Sequence, residues 1–311
     1  MVKPRIVAKV PLQPSCGRPV YGGGRSGGRT WRQLSSVACI MGVLLVAACS
    51  SAPQVSESVP VTIAPVPEIR PGLLAGYLGK DLPDSLRLLP APPAKDSTAF
   101  RHDQAVSRAS QKLRDTPRYA LAASDADLTF PHAASAFSCA LGMPITQEDT
   151  PRLYLLLRRT LTDAGLATYG AKNQYKRGRP FMYFKQSTCT PDDDGELRGD
   201  GSYPSGHTSI GWAWALLLTE LAPHRSEALL ARGRSFGESR LVCNAHWQSD
   251  VLEGRVIGAA TVARLHADET FKADMLGARL ELDAMRLHDS KPEADCASEA
   301  AALAVRIPDV L

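Results

Sequence analysis

GSYPSGHTSIGWAWALLLTEL, residues 201–221, joins two kinds of sequence at one seam. The run Ser209–Leu218 is apolar and uncharged but too short to cross a bilayer, which takes about 20 residues; it reads as a helix buried inside a fold. Ahead of it, Pro204 and Gly206 shape a turn and Ser205 stands where an N-cap belongs, so the helix is expected to start near His207. A helix start with free amide N–H groups and a hydroxyl is a ready anion site. Turn chemistry does not by itself require a histidine there.

Working outward from this seam, the pattern is helical from about Leu82 onward. Thr150-Pro151 predicts a helix start, with a hydroxyl at the N-cap and proline in the first turn. Leu153, Leu156, Leu157, Leu161 and Ala164 follow at three- to four-residue spacing. Further helices are expected near 103–114, 208–222, 225–238, 245–267 and 269–288. Alternating strand patterns are nearly absent, which predicts an all-α fold: one helical domain over residues 81–290, with 291–311 as a tail.

The net charge of +4 over 311 residues misleads. Residues 1–48 hold seven basic side chains and no acid, leaving 29 basic against 32 acidic residues, a net of −3 for the rest. That balance gives no footprint for nucleic acid as a partner. The basic lead, followed by the apolar segment Val37–Ala48, reads as an export signal over residues 1–48. It ends in Val46-Ala-Ala-Cys49, which resembles a bacterial lipobox. That resemblance implies acylation of Cys49 and anchoring to a membrane, with Ser50 favouring the outer membrane of a two-membrane cell and a periplasmic domain. A Pro- and Ser-rich tether is expected over 49–80. Cys139, Cys189, Cys243 and Cys296 then permit two disulfides in an exported chain, with three pairings open. Gly22, Gly24 and Gly27 fit G-x-G-x-x-G literally, but no strand precedes them and no helix follows.

Two more patches gather polar residues. In Lys172-Asn-Gln-Tyr-Lys-Arg-Gly-Arg179-Pro180, positions seven apart fall on nearly one helical face, so Lys172 and Arg179 are expected to point together, with Pro180 ending the helix. In Ser239-Arg240…His246-Trp-Gln-Ser-Asp250, the i, i+4 spacing on a helix lets Asp250 orient one ring nitrogen of His246 and leave the other free. Arg240 adds a guanidinium suited to an anion. Together with Ser205, Gly206 and His207 these describe a phosphate site with a nucleophile and an acid.

The pattern K-x6-R-P, P-S-G-H and S-R-x5-H-x3-D resembles that of the type 2 phosphatidic acid phosphatase superfamily. GSYPSGHT in full, with FSCALGMPIT (137–146) and HWQSDV (246–251), resembles the class A bacterial non-specific acid phosphatases. The resemblance runs from about Leu88 to His266. It implies hydrolysis of phosphomonoesters through a phosphohistidine on His246, oriented by Asp250, with His207 as the acid. Lys172, Arg179, Arg240, Ser205 and the amides around Gly206 would hold the phosphoryl oxygens, with phosphotransfer to alcohols as a side activity. No metal or other cofactor is implied. Vanadate-dependent haloperoxidases share the three motifs and are the rival enzyme class; a non-catalytic phosphate-binding envelope lipoprotein is the rival outside enzymes. Both histidines start near pKa 6.5; the cations are expected to lower both and Asp250 to raise that of His246. No H-E-x-x-H spacing for zinc is present, and in PDDDGELRGDG (191–201) Leu197 stands where a calcium loop needs glycine, so that stretch is expected to be a solvated loop near the site mouth. Oligomeric state, a homo-oligomer included, is left open.

Overall fold

The computed structural model describes residues 65–288 and 290–307. The leader and Cys49 lie outside the described residues. Two short antiparallel strands, β1 (Glu68–Arg70) and β2 (Leu73–Leu74), are the only sheet among the described residues. The other regular elements are helices: α1 (Ser85–Leu88), α2 (Thr98–Gln111), α3 (Pro117–Ser124), α4 (His132–Ser135), α5 (Ser138–Leu141), α6 (Pro151–Leu166) and α7 (Tyr169–Tyr175) form the first half. The second half holds α8 (Pro180–Tyr183), α9 (Asp194–Gly199), α10 (Gly206–Leu221), α11 (Ser226–Val242), α12 (Gln248–Leu265), α13 (Glu269–Arg286) and α14 (Cys296–Ala304). The fold is all-α, and no described helix is long and apolar enough to cross a membrane.

The run 209–218 becomes the central helix. α10 packs against α6, α11 and α12, and Trp214, Leu217 and Leu218 are fully buried against Leu156, Leu157 and Phe236. Trp214 also donates its indole N–H to the Leu157 carbonyl at 3.1 Å, which satisfies the polar atom that burial would otherwise strand. Ser205 caps α10 as expected, its hydroxyl accepting the Thr208 amide.

α6 starts at Pro151, but Thr150 does not cap it through its hydroxyl. That hydroxyl bonds back to Thr146, and the free amides of Arg152 and Leu153 instead donate to the Glu281 carboxylate of α13 at 3.1 and 3.0 Å. Residues 68–78, read from composition as the end of the tether, pack onto this body. Leu74 and Leu78 are buried, and the Asp163 carboxylate of α6 accepts the Tyr77 and Leu78 amides at 2.8 and 3.0 Å. The stretch set apart as a tail is likewise attached: α14 packs on α3, and Cys296 pairs with Cys139. The second disulfide is Cys189–Cys243.

Close approach at two glycines holds the helices that build the site. A Cβ on Gly254 of α12 would sit 2.7 Å from the Ser205 carbonyl oxygen, and one on Gly237 of α11 would sit 2.7 Å from Thr208 Cγ2. Only hydrogen fits at either place, so α11 and α12 both press directly on the first turn of α10.

Candidate active site

That first turn is where the three motifs meet. The Ser205 amide donates to the main-chain carbonyl of Asp250 at 2.9 Å, locking the α10 turn to the start of α12. His246 is not on a helix. It precedes the N-cap residue Trp247, and Asp250 is the third residue of α12, its carboxylate accepting the Trp247 amide at 2.8 Å. The His246–Asp250 pair therefore forms across a helix start rather than along a helix face, with Nδ1 of the ring 3.4 Å from Asp250 Oδ2.

Arg179 decides which nitrogen of His246 carries the proton. Its Nη1 lies 2.9 Å from His246 Nε2, and a guanidinium only donates, so Nε2 accepts and the proton sits on Nδ1, facing Asp250. The lone pair on Nε2 thus points at the cations. Burial first, then Arg179, Lys172 and Arg240, hold the His246 pKa well below its ordinary value, so the ring is neutral. Burial and the cations together outweigh the upward pull expected from Asp250.

Lys172 and Arg179 do converge, by another route than a shared helix face. α7 stops at Tyr175, Lys176 turns the chain with φ of +42°, and Arg179 is the N-cap of the short helix α8, which Pro180 begins rather than ends. The two cations meet on Asp200, whose Oδ2 lies 2.8 Å from Lys172 Nζ and 2.8 Å from Arg179 Nη2. Lys172 also donates to the Gly201 carbonyl, and its Cε lies 4.0 Å from where Gly206 would carry a Cβ. Burial and then the Arg179 charge push the Lys172 pKa down to about 8.

Arg240 is buried, and among the described residues it has no carboxylate within ion-pair distance; its Nε has no hydrogen-bond partner. Burial and Arg179 push its pKa down to about 10. His207 Nε2 lies 2.9 Å from the Ala126 carbonyl, which can only accept, so Nε2 carries a proton and Nδ1 is left to exchange one. Desolvation and then Arg240 hold its pKa well below the ordinary value. Ala126 is itself held in a buried cluster: Asp125 takes both terminal nitrogens of Arg232 and the Ser239 hydroxyl at 2.6 Å.

Four residues of this arrangement were not singled out by sequence. Asp200 belongs to the stretch expected to be a solvated loop. That stretch instead forms α9, with Asp194 bonded to Ser187 and Thr188 and Asp200 turned onto the two cations. Arg177 sat inside the quoted basic patch, between the motif positions. It spans Asp250 and Asp103, while Ser202 donates its hydroxyl to Asp250.

The PAP2 superfamily profile matches residues 153–272. A non-specific acid phosphatase of Providencia stuartii is 46% identical over 199 residues, 64% of this chain and 80% of that protein. One of Salmonella typhimurium is 43% identical over 196 residues, 63% of this chain and 78% of that protein. An acid phosphatase of Zymomonas mobilis is 40% identical over 210 residues, 68% of this chain and 80% of that protein. With this coverage, the chain belongs to the non-specific acid phosphatases of the PAP2 superfamily.

Proposed function

We propose that this chain hydrolyses phosphomonoesters through a covalent intermediate on His246. The observation that carries the reading is the 2.9 Å contact between Arg179 Nη1 and His246 Nε2, because it aims an unprotonated ring nitrogen at the place where three cations gather. A phosphoryl group there receives charge-assisted bonds from Lys172, Arg179 and Arg240, with the Ser205 hydroxyl and the amides at the start of α10. Positioning and charge neutralisation are most of what phosphoryl transfer needs from a protein.

In the first step the Nε2 lone pair forms the N–P bond in line as the ester P–O bond breaks. The leaving oxygen takes the proton from His207 Nδ1. The charge gained by His246 is balanced by Asp250 beside its Nδ1–H. In the second step water attacks phosphorus, the N–P bond breaks, the water proton returns to His207 Nδ1, and inorganic phosphate leaves. An alcohol in place of water yields a new phosphoester, which is the phosphotransferase side reaction. The same proposal places the domain outside the cytoplasm on a lipid anchor at Cys49; incorporation of labelled palmitate that disappears in Cys49→Ala tests this.

The decisive experiment follows phosphate release from p-nitrophenyl phosphate by the full chain and by His246→Ala, in excess EDTA. The parent is expected to turn over and to yield an acid-labile phosphoenzyme from labelled substrate; the variant does neither. A variant as active as the parent overturns the nucleophile assignment.

A further inference from the structure

Asp200 stands immediately before the 201–208 turn, and its carboxylate has no task in the reaction above. Its Oδ2 lies between Lys172 Nζ and Arg179 Nη2, 2.8 Å from each. The other terminal nitrogen of Arg179 is the one on His246 Nε2. A phosphoryl group attacked by Nε2 must set its oxygens against these same N–H groups. Two anions cannot both take them at full strength, since a given N–H points one way and like charges in contact repel.

The carboxylate is also not needed to keep the two cations in place. Arg179 Nε donates to the main-chain carbonyls of Leu197 and Asp200 at 2.9 and 3.1 Å, and its Nη1 to that of Ala245 at 3.0 Å. Lys172 Nζ donates to the Gly201 carbonyl. Exposure separates Asp200 from the other acid of the site: its side chain is 27% exposed, whereas that of Asp250 is 0% exposed and pinned by Arg177. Asp200 has solvent to swing into. Arg240, the third cation, has no such carboxylate among the described residues.

We propose that Asp200 is an internal competing anion: its carboxylate holds Lys172 and Arg179, is displaced by the phosphoryl group, and returns to help expel inorganic phosphate. Asp200 thereby sets the affinity of the site for phosphate and the strength of product inhibition. The inference rests on the phosphatase reading above. A site of three cations and a helix start would otherwise retain a dianionic product, since each charge-assisted bond outweighs a neutral one.

Isothermal titration of inorganic phosphate into the full chain, the Asp200→Asn variant and the Asp200→Ala variant, at one pH, tests this. The asparagine keeps the shape and one acceptor, and the alanine removes both; melting temperatures show that each is folded. Phosphate is expected to bind about tenfold tighter in both variants, with KM for p-nitrophenyl phosphate and the inhibition constant of phosphate falling in step. A residue that merely organises the cations cannot tighten binding on removal. Unchanged or weaker phosphate binding in folded variants, beside an active parent, overturns the role of Asp200 alone. A parent that neither binds phosphate nor turns over overturns the phosphatase reading instead.

Discussion

Arg177 joins Asp250 to Asp103: Nη1 donates to Oδ1 of the first, and Nη2 lies 2.7 Å from Oδ2 of the second. The carboxylate behind His246 is thus one end of a buried acid–base–acid row, closed by Ser249, which donates both its amide and its hydroxyl to Asp103. Burial holds the Asp250 pKa above its ordinary value, with Arg177 and the Ser202 hydroxyl opposing the rise.

Arg177 is therefore a positioning residue. Arg177→Met leaves two buried carboxylates without their cation and is expected to cost about 3–5 kcal/mol of stability. In the fraction that folds, kcat should fall by about a hundredfold with KM little changed, because no phosphoryl oxygen is lost a partner. Arg177→Lys should recover part of kcat. Steady-state kinetics beside thermal melts check this, and a KM effect without a kcat effect would count against it.

The pH dependence has a definite sign. The proposed reaction needs His246 neutral and His207 protonated, and both pKa values are held well below 6.5. kcat/KM should therefore decline as pH rises, beginning below 6.5, which gives an acid optimum. A further loss is expected near pH 8, as Lys172 gives up its proton. Stability runs the other way. The unfolded chain takes up protons below about 6.5 that these buried rings refuse, so stability is present above that pH and is lost as pH falls toward the lowered native values. For His246 the slope is about 1 kcal/mol per pH unit. Rate profiles and urea melts across the acid range test both limbs.

Gly254→Ala drives a methyl to 2.7 Å from the Ser205 carbonyl oxygen and 2.9 Å from Thr208 Cβ. The expected cost is about 1–3 kcal/mol, with a loss of kcat as the Ser205–Asp250 main-chain bond is forced apart. Gly195→Ala is the control, since nothing lies within 4 Å of that position. Melting temperature and turnover of the two variants should separate cleanly.

Removing the Cys189–Cys243 bridge frees a loop of sequence separation 54 and is expected to cost about 4 kcal/mol. Cys243 is three residues before His246, so activity should fall at temperatures where the fold still holds. The paired Cys189→Ser/Cys243→Ser variant, compared with the oxidised parent, checks this without leaving a lone thiol.

The long helices were legible in the sequence because their signals are local. Ser205 at a cap followed by an uncharged apolar run is read without knowing any neighbour, and α10 begins and ends within two residues of the expected span. What the sequence left dark was partnership. Thr150 looked like a cap until Glu281, far along the chain, took the amides. Lys172 and Arg179 were expected to meet on a helix face, but the helix stops between them and Asp200 gathers them. Arg177 and Asp103 lie 74 residues apart, and no periodicity couples them. The short helices α4, α5, α8 and α9 span too few turns to show a pattern.

The sulfur link between Cys139 and Cys296 also governs how the C-terminal end is lost. α13 and α14 are joined by a stretch outside both helices, and α14 bears on α3 while bonded to α5. A protease cutting that stretch would not shed α14: the two pieces would travel together, and the nick would become visible only once the sample is reduced.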